Sequence, residues 1–267
     1  MKRANVVIAV VFGLILLFAM SASAGPVLNR ILQKGELVVG TTGNQPPLTA
    51  KTKEGKVIGL DADLARLMAA DMGVEVKFVP MAFPELLPAL EGGKVDMVLS
   101  SMTITPERNL KVAFVGPYFI SGKGILTKIQ TIASLQDAAG LNKPEFTLAA
   151  LQNSTSQILV EKGLPKARLV TTKSYDEAVE LLTQGKVDGV IADYPFCAVS
   201  AFRYREKGLV AGEARLSFEP LGVALPPNDS LLVNWVENYL YLLKDSGELR
   251  RLTDRWFKNA SWLQELP

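Results

Sequence analysis

Two kinds of apolar pattern alternate along the chain: short blocks of aliphatic and β-branched residues, and longer stretches in which apolar positions recur every three or four residues. Glu36-Leu37-Val38-Val39-Gly40 is a block of the first kind and predicts a strand, as do residues 74–79 and 95–100. Residues 61–72 and 84–91 carry the second pattern and predict helices. The order then resets, with strands predicted over 146–151, 167–171 and 187–192 and helices over 155–162 and 174–184. A last strand over 221–225 is followed by an amphipathic helix over 230–243, stopped by Lys244-Asp245-Ser246-Gly247, and by a further helix over 248–257. Repeated β-α-β order of this kind argues for parallel sheets flanked by helices, an α/β protein.

A weak internal repeat supports two similar halves. Leu90-Glu91-Gly92-Gly93-Lys94-Val95-Asp96 and Leu182-Thr183-Gln184-Gly185-Lys186-Val187-Asp188 each pass from the end of a helix through Gly-Lys-Val-Asp into an apolar strand. One supersecondary unit used twice explains both, with glycine ending the helix in a left-handed turn and the strand buried in its sheet. The segments that connect the halves are expected over residues 122–131 and, returning, 211–218.

The start of the chain reads as an export signal covering residues 1–24. Lys2 and Arg3 precede an apolar run over 6–20, and Ala22-Ser23-Ala24 supplies the small residues a signal peptidase reads, so cleavage is expected after Ala24. An apolar run of about 15 residues is short for a bilayer, which needs roughly 20. Gly25 stands where a lipid anchor would need a cysteine.

Composition narrows the chemistry. The 29 Lys and Arg nearly balance the 27 Asp and Glu without a block of like charge, which argues against nucleic acid as a partner. Cys197 is the only cysteine, so no internal disulfide forms. The chain has no histidine, which removes Ser-His and Cys-His nucleophiles and the commonest metal ligand. No cofactor and no metal are expected.

Four segments, taken together and in order, resemble a known family: Gly59-Leu60-Asp61-Ala62-Asp63-Leu64; Leu87-Pro88-Ala89-Leu90 with Gly93-Lys94-Val95-Asp96; Ser100-Ser101-Met102-Thr103-Ile104-Thr105-Pro106-Glu107-Arg108; and Asp245-Ser246-Gly247-Glu248 running to Trp256-Phe257. The chain resembles the polar amino-acid-binding proteins of ABC importers, extracellular solute-binding family 3. The resemblance implies a periplasmic-binding-protein-like fold, two α/β lobes joined by two hinge strands. Residues 25–120 would begin lobe 1, 121–215 would form lobe 2, and 216–267 would return to lobe 1. It also implies a periplasmic monomer that captures a small zwitterion, an amino acid, and delivers it to a permease in the inner membrane.

The same resemblance assigns site residues. Ser101, Thr103 and Arg108 match positions that hold a ligand's α-carboxylate. Arg108 offers a planar fork of donors suited to that group. The residues alone leave another reading open, a surface arginine paired with Glu107. Asp193, ending an apolar strand, matches the acidic residue that takes the ammonium. A helix N-cap ahead of Pro195 is the alternative. Ser154 and Thr155 would complete the carboxylate site or cap a helix, and Asn153 stands where glycine is common. Phe83 matches an aromatic wall, with a core phenylalanine as the alternative. Near Thr42 and Gln45 the acidic and aromatic residues of many relatives are missing, so a neutral ligand side chain is expected there.

Two further readings follow from this family. Cyclohexadienyl dehydratases resemble it closely, but such an enzyme needs a proton donor in the cleft, and Gln157 stands where those relatives carry an acid. A ligand-binding sensor that feeds no permease is the other.

Overall fold

The computed structural model describes residues 25–133, 138–212 and 216–267. The export signal over 1–24 lies outside the described residues, as does part of the expected return segment, 213–215. Among the described residues no helix is long and apolar enough to cross a membrane.

The chain opens with α1 (Pro26–Lys34) and β1 (Glu36–Thr41), followed by three short strands, β2 (Asn44–Gln45), β3 (Thr49–Lys51) and β4 (Val57–Ile58). Next come α2 (Leu60–Asp71), β5 (Glu75–Pro80), a 3-10 turn at Phe83–Glu85, α3 (Leu86–Glu91), β6 (Met97–Val98), α4 (Pro106–Asn109) and β7 (Ala113–Ser121). The chain then passes into β8 (Lys123–Lys128), α5 (Ile129–Ala133), β9 (Thr147–Leu151), α6 (Thr155–Gly163), β10 (Arg168–Thr172), α7 (Tyr175–Thr183), β11 (Gly189–Asp193), α8 (Tyr194–Arg203) and β12 (Leu209–Ala211). It returns through β13 (Glu219–Leu225), α9 (Ser230–Asp245) and α10 (Glu248–Phe257).

Two five-stranded sheets form the lobes, ordered β5-β1-β6-β13-β7 and β10-β9-β11-β8-β12. In each, three parallel strands are followed by two antiparallel ones. The first sheet takes strands from both sides of the second in sequence. Its core joins Leu37, Val39, Leu64 and Met68 to Val223, Leu240 and Trp256.

The repeat seen in the sequence does the same work in both sheets. Gly93 (φ 68°) and Gly185 (φ 71°) take the left-handed turn that lets the chain leave its helix. The following aspartate then clamps the neighbouring parallel strand, β1 or β9: the Val38 N–H donates to Asp96 Oδ2 at 2.8 Å, and the Thr147 N–H donates to Asp188 Oδ2 at 2.7 Å. The strand expected over 95–100 shrinks to Met97–Val98, because Asp96 is engaged in that clamp and the chain turns away after Leu99 toward the cleft.

Two crossings connect the lobes, at Gly122 between β7 and β8 and between β12 and β13. The first is tighter than the expected 122–131, since residues 123–128 already belong to the second sheet. The crossings lie side by side: Glu219 pairs with Ser121, and the Leu216 N–H donates to the Lys123 carbonyl at 2.7 Å.

Candidate functional site

The parallel strands of both sheets end at the cleft between the lobes, where an open α/β sheet collects ligands. On the lobe 1 side, Ser101 adopts φ 53°, a left-handed conformation unusual for serine. It is held there by Asp61, whose Oδ2 accepts the Ser101 N–H at 2.7 Å and whose Oδ1 accepts the Tyr118 hydroxyl at 2.8 Å. Burial pushes the Asp61 carboxyl up to about 7, against the opposing pull of the Tyr118 and Ser101 hydrogen bonds. Tyr118 lies in β7, so this hydroxyl ties that strand to the Asp61 carboxyl.

Arg108 sits on α4, whose first turn is capped by the Thr105 side chain accepting from the Arg108 N–H. Its guanidinium spans the cleft. Nη1 donates to the Thr103 carbonyl at 2.8 Å, and Nη2 donates across the cleft to the Asn153 carbonyl at 3.1 Å. The group lies over the Phe83 ring, 5.5 Å from its centre, so Phe83 is at once buried and part of the site. Among the described residues no carboxylate comes within ion-pair distance of Arg108, and the pairing with Glu107 is not made. Desolvation lowers its affinity for the proton, with Glu219 opposing.

The lobe 2 face comes from the turn after β9 and the end of β11. Asn153 has φ 59°, the left-handed region that glycine occupies easily and asparagine tolerates. Ser154 proves to be the N-cap of α6: its Oγ accepts the N–H groups of Ser156 and Gln157 at 3.2 and 3.3 Å. Thr155 instead faces the cleft, its hydroxyl donating to Glu219 Oε2 at 2.8 Å. The Thr103 hydroxyl donates to the same oxygen at 2.6 Å, so one carboxylate oxygen gathers a hydroxyl from each lobe.

Asp193 makes no side-chain cap to α8, which removes the N-cap alternative. Asp193 is also paired within the protein, which the sequence reading did not foresee. Lys123, the first residue of β8 and the register partner of Asp193, places Nζ 3.0 Å from Asp193 Oδ2 and 3.6 Å from Glu219 Oε2. Gln45 donates from Nε2 across the cleft to the same Asp193 oxygen at 2.6 Å. The other oxygen, Oδ1, is buried and has no partner among the described residues. Glu219 is held below the ordinary carboxylate range: burial raises it, but Lys123 and the hydroxyls of Ser217, Thr103 and Thr155 outweigh burial.

Thus Arg108, Thr103, Thr155, Phe83, Gln45 and Asp193 converge on one cleft. Thr42 and Ser101 lie at its lobe 1 wall, Thr42 with its N–H donating to Ser100 Oγ at 3.0 Å. Outside Arg108 and Phe83 the cleft widens into a mouth of about 480 Å³. Sequence reading missed Lys123 and Glu219 and gave Asp61 no role. Lys123 and Glu219 each open an apolar strand, β8 and β13, a placement that by itself does not separate them from charged residues at solvated strand ends.

The curated relatives include the ABC transporter arginine-binding protein 1 of Escherichia coli, 28% identical over 82% of this chain and 89% of that protein. They also include the cyclohexadienyl dehydratase of Pseudomonas aeruginosa, 26% identical over 86% of each. Among solved structures, a binding component of an ABC transporter from Wolinella succinogenes complexed with lysine superposes with a TM-score of 0.82. It is 37% identical and covers 86% of this chain and 99% of that one. The family model for bacterial extracellular solute-binding proteins, family 3, matches residues 37–259, and the chain belongs to that family.

Proposed function

We propose that this protein is the periplasmic amino-acid-binding component of an ABC importer, working as a monomer after removal of residues 1–24. One observation carries the reading. A guanidinium satisfied only by neutral carbonyls lies at the same lobe interface as the buried Asp193 carboxylate, which Gln45 reaches from the other lobe and whose Oδ1 has no partner among the described residues. Both are costly to leave in that condition, since a buried unpaired acceptor loses its hydration without replacement. A zwitterion answers both. Its α-carboxylate takes Arg108, with Ser101, Thr103 and Thr155 at hand, and its ammonium takes Asp193 Oδ1. Charged hydrogen bonds contribute about 1.5 to 3 kcal/mol each, so four supply most of the roughly 8 kcal/mol of a micromolar complex. The side chain then lies over Phe83 near Thr42 and Gln45, surroundings that suit a neutral group.

Ligand binding and closure are one event in this scheme, because each lobe holds half of the anchors and a ligand favours the closed form by its differential affinity. Thermal-shift screening of the mature chain against the amino acids tests it. At least one neutral amino acid raises the melting temperature, and Arg108→Ala abolishes the shift. A shift undiminished in that variant removes the carboxylate site.

A dehydratase activity is the second reading, supported by the relative of that name and by a buried carboxyl, Asp61, that holds its proton near neutrality. Against it, both Asp61 oxygens are engaged by Ser101 and Tyr118. Gln157 at the mouth bonds the Asn153 N–H and Glu161, and an amide has no proton to give at neutral pH. Release of carbon dioxide from prephenate or arogenate by the purified protein would establish the enzyme.

A further inference from the structure

We propose that Lys123 sets the charge of the ligand this cleft accepts: by placing a cation of the protein's own on Asp193, it makes the site reject amino acids with cationic side chains. The inference rests on the amino-acid reading above and deepens it. Lys123 is buried between Asp193 at 3.0 Å and Glu219 at 3.6 Å. Strand register fixes its backbone directly opposite Asp193, so it is not a rim lysine free to swing into water.

The charges of this cluster balance. Lys123 and Arg108 stand against Asp193 and Glu219. Asp61, whose carboxyl burial raises to about 7, adds no full counter-charge below that pH. An amino acid with a neutral side chain brings one charge of each sign and leaves the balance intact. Lysine or arginine leaves one cation in excess inside a closed, largely dehydrated cleft, where an uncompensated charge is strongly disfavoured. With Arg108 counted in the cluster, the mouth carries Glu91, Glu107 and Glu161 against Lys111 and Lys162, all five exposed, so solvent screens the one acid in excess. Removing the Lys123 charge inverts the argument: one carboxylate is then in excess, and a cationic ligand restores the balance.

Isothermal titration of two near-isosteric pairs, arginine against citrulline and lysine against norleucine, isolates charge from shape. Wild type is expected to bind the neutral member of at least one pair more tightly by about tenfold or more. Lys123→Met is expected to reverse that order, and Lys123→Arg, which keeps the charge, to retain it. Wild type that binds arginine as tightly as citrulline and lysine as tightly as norleucine overturns the proposal, and this comparison stands even where Lys123→Met does not fold. A folded Lys123→Met with the wild-type order overturns it equally. Failure of wild type to bind any amino acid overturns the amino-acid reading itself and this inference with it, whereas unselective binding overturns this inference alone.

Discussion

Asp61→Asn should make the protein more stable at neutral pH while leaving it almost unchanged in mild acid. The Asp61 carboxyl is fully enclosed beneath Ser101, and its proton affinity rises from the usual 3.8 to about 7. A carboxyl raised on folding contributes stability that is complete below the unfolded value and is lost as pH rises toward the folded one. The loss therefore falls between about pH 4 and pH 7, and its size is on the order of 4 kcal/mol. Asparagine reproduces the protonated form: its oxygen can accept the Ser101 N–H and its amide can donate to the Tyr118 oxygen. Urea denaturation of both proteins from pH 4 to pH 7.5 would follow the difference. Asparagine should gain on aspartate steadily across that range, reaching a few kcal/mol at the top. Parallel stability curves would refute the claim that burial, rather than the two hydrogen bonds, governs this carboxyl. Because Asp61 also holds Ser101 at φ 53°, ligand affinity of the variant reports whether the amide keeps that turn.

Other perturbations follow from single contacts. Gln45→Ala removes a 2.6 Å bond to buried Asp193 that joins the lobes, and ligand affinity by calorimetry should fall about tenfold, consistent with the strength of a charged hydrogen bond. Gly59→Ala should cost on the order of 3 kcal/mol or more in urea denaturation. Gly59 has φ 122°, and an added Cβ would lie 2.3 Å from the Leu48 carbonyl oxygen. Phe83→Ala removes the ring beneath the Arg108 guanidinium and should change which amino acid gives the largest thermal shift, with the folded structure retained.

The fold was legible because local pattern and global topology agree at most elements. Continuous apolar blocks such as residues 187–192 became buried strands, and the Gly-Lys-Val-Asp repeat marked the left-handed helix stop in both lobes, while the clamp made by its aspartates was read only from the hydrogen bonds. Arg108 and Thr103 were singled out by the family resemblance of the segment Ser100 to Arg108, since the residues alone left a surface arginine open. Lys123 and Glu219 were not, because their significance depends on pairing between strands far apart in sequence: Asp193 is 70 residues from Lys123, and Thr103 is 116 residues from Glu219. Nothing in a linear reading separates a lysine that enters a buried strand from one at its solvated tip. Ser154 shows the opposite limit. Its sequence context fitted both a helix cap and a ligand contact, and only the bonds to Ser156 and Gln157 decide for the cap.

A crystal structure of the mature protein with its tightest-binding amino acid tests the central claim most directly. The account predicts one bound molecule between the lobes, its carboxylate within hydrogen-bond distance of the Arg108 guanidinium and its ammonium on Asp193 Oδ1, with Lys123 still on Oδ2. A ligand seated elsewhere, or one whose ammonium has driven Lys123 away from Asp193, would contradict it.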